Sequence, residues 1–161
     1  MTPLQFVSYA EQMLAPTIPL FQLVPADKID WKPTEGSFTC GQLMHHMAGA
    51  LRFNADGIRE NKWAMPSLRH IFLANRREQS STVEEAVQLY NETSKEFFDT
   101  FRTMPETEFL TAMVNTPQFG PQEKWRYALF AVSHHLNHKT ELFMYLKTMG
   151  LKVGSRELYG G

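Results

Sequence analysis

Apolar residues along this chain recur three or four positions apart almost everywhere, and no stretch alternates convincingly as a half-buried strand would. That period predicts helices, and local signals mark their ends. Thr2, with Pro3 at the favoured first position, opens a helix carrying Leu4, Phe6, Val7, Ala10, Met13 and Leu14. It runs on, bent near Pro16 and Pro19, to about Leu23. The segment 25–36 (PADKIDWKPTEG) is a loop, with Trp31 as a packing anchor. A second helix starts at Ser37 or Thr39, where Thr39-x-x-Gln42 has capping-box spacing, and reaches about Glu60. A third opens with Ser81-x-x-Glu84 and sets Val83, Ala86, Val87, Tyr90, Phe97, Phe98 and Phe101 on one stripe. Pro121 marks the start of the last helix, which runs to Met149 and stops at Gly150.

Four principal helices in 161 residues predict an all-α, four-helix bundle formed as a single domain over 1–161. The connections 61–80 and 104–121 are long for a plain bundle, the first with room for at most a short helix. They either cap or line a site, or simply reach across the bundle. The residues after Gly150 read as a tail or docking arm.

Composition narrows the function classes. Hydrophobic residues make up 43% and charged residues 20%, ordinary for a soluble globular protein. A net charge of −1, with basic residues scattered apart from the solvated stretch Arg69 to Arg77, argues against nucleic acid. Residues 1–14 lack the pattern of a secretory signal, and no apolar run approaches the ~18 residues of a membrane span. A lone cysteine, Cys40, fits a reducing, cytoplasmic setting and leaves any metal to histidine and carboxylate ligands. Cys40 falls on an apolar face with Leu43 and Met47, the position of a buried, inert thiol.

Three histidines, His134, His135 and His138, crowd into five residues of the last helix. Neutral imidazole is a common ligand for divalent transition metals, and two of them one turn apart can face one cavity. A pair alone is weak evidence, so a third ligand is needed from elsewhere. In the second helix, at about 100° per residue, His45 shares a solvent sector with Arg52, Asp56 and Arg59. His46 falls with Leu43, Ala50 and Phe53 on the flank of the apolar stripe and is the better inward candidate. In the last helix His134 and His138 share a sector with Tyr127, Ala131, Glu141 and Tyr145, while His135 lies nearer Leu142 and Leu146. Periodicity prefers 134/138 and leaves 135/138 open. Glu141 is placed to accept a ring N–H or to serve as a fourth ligand.

Two stretches carry a resemblance. Trp31 to Ala48, a Trp/Pro loop and small-residue cap ahead of a helix bearing His46, resembles the second-helix signature of the DinB-like superfamily. Trp125 to Gly150, with Ser-His134-His-Leu-Asn-His138-Lys and a leucine-bearing turn before the glycine, resembles its last-helix signature. Length and motif order agree across the chain. The resemblance implies an up-down-down-up bundle, a three-histidine site for nickel or zinc formed here by His46, His134 and His138, and a homodimer. Where family members often continue His-Arg-Gly-Gln, this chain reads His138-Lys139-Thr140-Glu141, and Asn137 replaces a common extra histidine.

Three neutral imidazoles leave a divalent ion an open position, the catalytic pattern. The resemblance adds the use of a low-molecular-weight thiol, so the leading expectation is a cytoplasmic metal-dependent S-transferase on a small-molecule substrate, with Glu141 or Tyr145 handling protons. Alternatives are a hydrolase using a metal-bound hydroxide, and a non-catalytic module that binds metal or a small ligand. The plainest reading is a helical protein whose histidines are incidental.

Overall fold

The structure, a computed structural model, describes residues 1–75 and 77–160, and of Phe72 the backbone alone. Thr2 accepts from the Gln5 N–H while Gln5 reaches back to the Thr2 N–H, and this box starts α1 (Pro3–Leu14). Pro16, which can donate no backbone hydrogen bond, separates it from α2 (Thr17–Phe21), so the expected bent helix is two helices. Thr39 and Gln42 box the start of α3 (Cys40–Glu60), as expected. Its end is Asn61, in the left-handed conformation that asparagine tolerates.

The connection 61–80 contains a short helix, α4 (Leu68–Asn75). The next helix, α5 (Val83–Arg102), is capped by Thr82 and Glu85, one residue later than the expected Ser81 and Glu84. The run Ser81-Thr-Val-Glu-Glu85 spells two overlapping boxes, and Ser81 is instead buried with its hydroxyl against the His45 ring.

Residues 104–121 depart furthest from expectation. After α6 (Glu106–Thr111) they form an antiparallel hairpin of β1 (Met113–Thr116) and β2 (Gly120–Glu123), with Pro121 opposite Asn115. Pro121 is therefore a strand residue, and α7 (Lys124–Thr148) begins three residues later. Four-residue strands are too short to establish alternation, and Gly-Pro-Gln-Glu is poor strand material by propensity. Gly120 closes the turn at φ 70°, a conformation that suits glycine. The tail ends in α8 (Ser155–Tyr159).

The long helices α1, α3, α5 and α7 pack around one core, with α3 against both α5 and α7, and α1 bridging α5 and α7 from the other side. An aromatic cluster of Phe6, Phe97, Phe101 and Phe109 fills the α1–α5 side. Trp31 packs edge-on against Tyr145 at 5.6 Å, the anchoring expected of it. Among the described residues, no helix is long and apolar enough to cross a membrane.

Candidate metal centre

His46 stands on α3 where that helix faces α7, and His134 and His138 stand one turn apart on α7. The ring nitrogens converge. His134 Nε2 lies 3.5 Å from His46 Nε2 and 3.2 Å from His138 Nε2. One ligand atom from each residue falls within 4.8 Å of the others. Imidazoles bound about 2.05 Å from one tetrahedral ion would put their nitrogens about 3.3 Å apart. The observed separations bracket that figure.

Proton placement strengthens the fit. His46 Nδ1 lies 3.0 Å from Glu78 Oε2, and His138 Nδ1 lies 2.8 Å from Glu141 Oε2. An ionised carboxylate only accepts, so each Nδ1 carries the proton and donates it. In the neutral form of these two rings each Nε2 is then a bare lone pair facing the His134 nitrogen. His134 can donate a single proton to one of them, which leaves the trio with lone pairs in mutual repulsion. A cation at the point of convergence would remove that conflict. Burial first, then the neighbouring His138 and His46, push the His134 pKa down to about 3, holding the ring in its neutral, ligating form.

The carboxylates are themselves held. The Tyr145 hydroxyl donates to Glu141 Oε1 at 2.8 Å. His138 chiefly, and Tyr145 after it, keep Glu141 below the usual carboxylate range despite partial burial. Burial and the adjacent carboxylate push the Tyr145 pKa up, so its proton stays in place as a donor. On the other arm, Gln42 donates from Nε2 to the Glu78 carbonyl at 3.1 Å while its Oε1 accepts from the Thr39 N–H. The residue that caps α3 thus also fixes the segment presenting Glu78. The Phe38 ring lies against His46 at 5.2 Å and His138 at 6.4 Å.

The remaining histidines are excluded by direction. His135 is buried and turned to a different neighbour, with Nε2 2.9 Å from the Thr17 hydroxyl and its ring against Tyr90. That closes the 135/138 alternative left open by periodicity. Burial, with the neighbouring histidines, takes the His135 pKa down to about 3, so it is a neutral core residue. His45 is half-buried against Ser81 rather than fully solvated, and His70 is exposed and paired with Ser67. Glu141 serves the ring of His138, not that of His134. Cys40 is fully buried, and desolvation pushes its thiol up to about 11.

Glu78 escaped the sequence reading. It is one carboxylate in a mixed-charge connection, 32 residues from its partner, and no spacing rule links the two. Its neighbours in 61–80 roof a cavity of about 430 Å³ on the His46 and His134 side, between α3 and α7. A second and more polar cavity of about 800 Å³ opens on the His138 side, lined by Lys32, Ser37, Gln42 and Glu141. Asn75 borders both.

Comparison with known proteins places the fold. Among the solved structures that share the fold are two from Bacillus species. A DinB-like protein from Bacillus subtilis is 19% identical with TM-score 0.70, over 92% of this chain and 94% of the other. A DinB-like protein from Bacillus cereus is 14% identical with TM-score 0.73, over 93% and 94%. No curated protein matches the chain. The model of the DinB superfamily matches residues 9–142, from the middle of α1 to beyond both α7 histidines, and the chain belongs to that superfamily.

Proposed function

We propose that His46, His134 and His138 hold a divalent metal ion, nickel or zinc, and that the protein is a metal-dependent enzyme transferring a low-molecular-weight thiol to a small molecule. The observation that carries the metal assignment is the pair of Nδ1–carboxylate hydrogen bonds, which turn the Nε2 atoms of two rings onto a third imidazole. The thiol rests on the resemblance of the two histidine-bearing segments to a superfamily with thiol-using members. A divalent ion in that position supplies positive charge, which favours a thiolate over its thiol.

The chain's own residues divide the remaining work. Glu78 and Glu141 orient His46 and His138. Glu141 also borders the polar cavity as an ionised carboxylate, placed to accept a hydrogen bond from a thiol and to hold it beside the centre. Tyr145 holds that oxygen in place through its hydroxyl. We read the four long helices as one domain, an up-down-down-up bundle, working in the cytoplasm as a homodimer. The lone buried cysteine suits a reducing compartment.

The test begins with metal analysis of protein purified without a histidine tag, beside His46→Ala. About one equivalent per chain is expected, with loss in the variant. Titration of the Co(II) form with a low-molecular-weight thiol should then change the visible spectrum. Metal far below one equivalent and unchanged by His46→Ala would sink the site. Turnover in water without any thiol would replace the transferase by a hydrolase.

A further inference from the structure

The glycines of α3 are not alike. A Cβ added at Gly41 would collide with Ser80 and would lie 2.8 Å from Ile29 Cγ2, and one at Gly57 would enter the Trp63 ring. Both positions are glycine because another group already occupies the space. At Gly49, in the middle of the helix, an added Cβ meets nothing within 4 Å. Glycine in a helix interior is unfavourable relative to alanine, so an uncrowded one needs another reason. Gly49 borders the 430 Å³ cavity. His46, Gly49, Ala50 and Phe53 all border it, at the i, i+3, i+4, i+7 spacing of a single helix face.

That cavity has both polar and apolar walls. His46 and His134 border it together with His45 and the amides Asn54, Gln79 and Gln118. Its other walls include Phe53 and Phe130, backed by Trp63 and Tyr127 in ring contact at 5.0–5.3 Å. Ile71 and Ala74 of α4 contribute further apolar surface, and among the described residues Arg77 and Glu78 bring formal charge. Its volume lies in the range of small-molecule sites.

We propose that this cavity binds the apolar, ring-bearing part of a small molecule whose polar end reaches the histidine cluster, and that Gly49 sets the size of group admitted. The inference deepens the proposed function by naming the class of its small-molecule substrate, while the apolar end stands on the cavity alone.

The experiment compares imidazole with 4-phenylimidazole, which share a polar end and differ by one ring. Binding is followed by NMR through the Gly49 amide and the Ala50 methyl, in metal-free and Zn(II)-loaded protein. Burial of the ring should make 4-phenylimidazole about ten- to a hundredfold tighter in both forms. Gly49→Leu should bring the two ligands to nearly equal affinity, judged by the backbone amide at the substituted position and the same methyl, with zinc uptake unchanged. Ala50→Leu, followed through its own amide and that of Gly49, provides the same test should Gly49→Leu not fold. Equal affinities in the wild type, or a ring preference that survives both substitutions, overturns the proposal. Zinc that alters neither affinity counts against the metal centre and leaves the ring preference to be read from the metal-free protein.

Discussion

Gly49→Ala and Gly57→Ala make the same substitution eight positions apart in one helix, and the structure assigns them opposite signs. At Gly49 the added methyl meets open space, so the helix gains alanine's propensity advantage of about 0.5–1 kcal/mol without a packing cost. For a chain of this size that raises Tm by roughly 1–4 °C. At Gly57 the same gain is opposed by the six-membered ring of Trp63. Carbon atoms rest about 3.5–4.0 Å apart, so the ring must retreat by more than about 1 Å. It has little room to do so, because Phe53 lies at 5.3 Å and Tyr127 at 5.0 Å. Overpacking costs about 1–3 kcal/mol, and contacts this short belong at the upper end, which leaves a net loss of about 2 kcal/mol and a Tm lower by roughly 4–8 °C. Thermal melts by circular dichroism, with tryptophan emission to follow Trp63, measure both variants. A Gly57→Ala protein melting at or above the wild type would refute the placement of Trp63, and with it the aromatic backing of the cavity.

The other expectations concern the centre and the thiol. Zinc at about a hundred times its Kd should add about 2.7 kcal/mol of stability, roughly 5–10 °C in Tm, and His134→Ala should abolish that shift. An equal shift in the variant would contradict the convergence of the three rings. Glu78→Ala should weaken metal affinity about 10–100-fold in a chelator competition, since it frees the His46 ring to rotate. Unchanged affinity would reduce the Glu78 hydrogen bond to a surface contact. Cys40, buried with its thiol pushed up to about 11, should resist an aromatic disulfide reagent at pH 8 in the native protein and react once per chain in denaturant. Fast native labelling would contradict its burial.

What could be read from the sequence follows from what periodicity encodes. The face of a helix is a local property. His46 could therefore be chosen over His45 from Leu43, Ala50 and Phe53 alone, and the structure brings His46 to the α7 pair. The choice between His134 and His135 depends on which neighbour each side of α7 meets, a tertiary fact. Thr17 and Tyr90 decide it from two other helices. Glu78 depends on a connection folding back over α3 and was out of reach of any spacing argument. The hairpin at 113–123 was hidden for a different reason, since strands this short depend on pairing with one another rather than on sequence pattern.

The ligands divide two and one between distant parts of the chain, and this bears on partly unfolded states. His134 and His138 come together as soon as one turn of α7 forms, whereas His46 arrives from 88 residues away only when α3 docks on α7. A loosened state with its helices formed but undocked offers an ion two nitrogens, and the native state offers three. Metal therefore widens the gap between the native protein and its loosened forms by the strength of the third bond. Amide hydrogens along the α3–α7 seam, exchanging through such openings, should register that gain more sharply than those at the frayed helix ends.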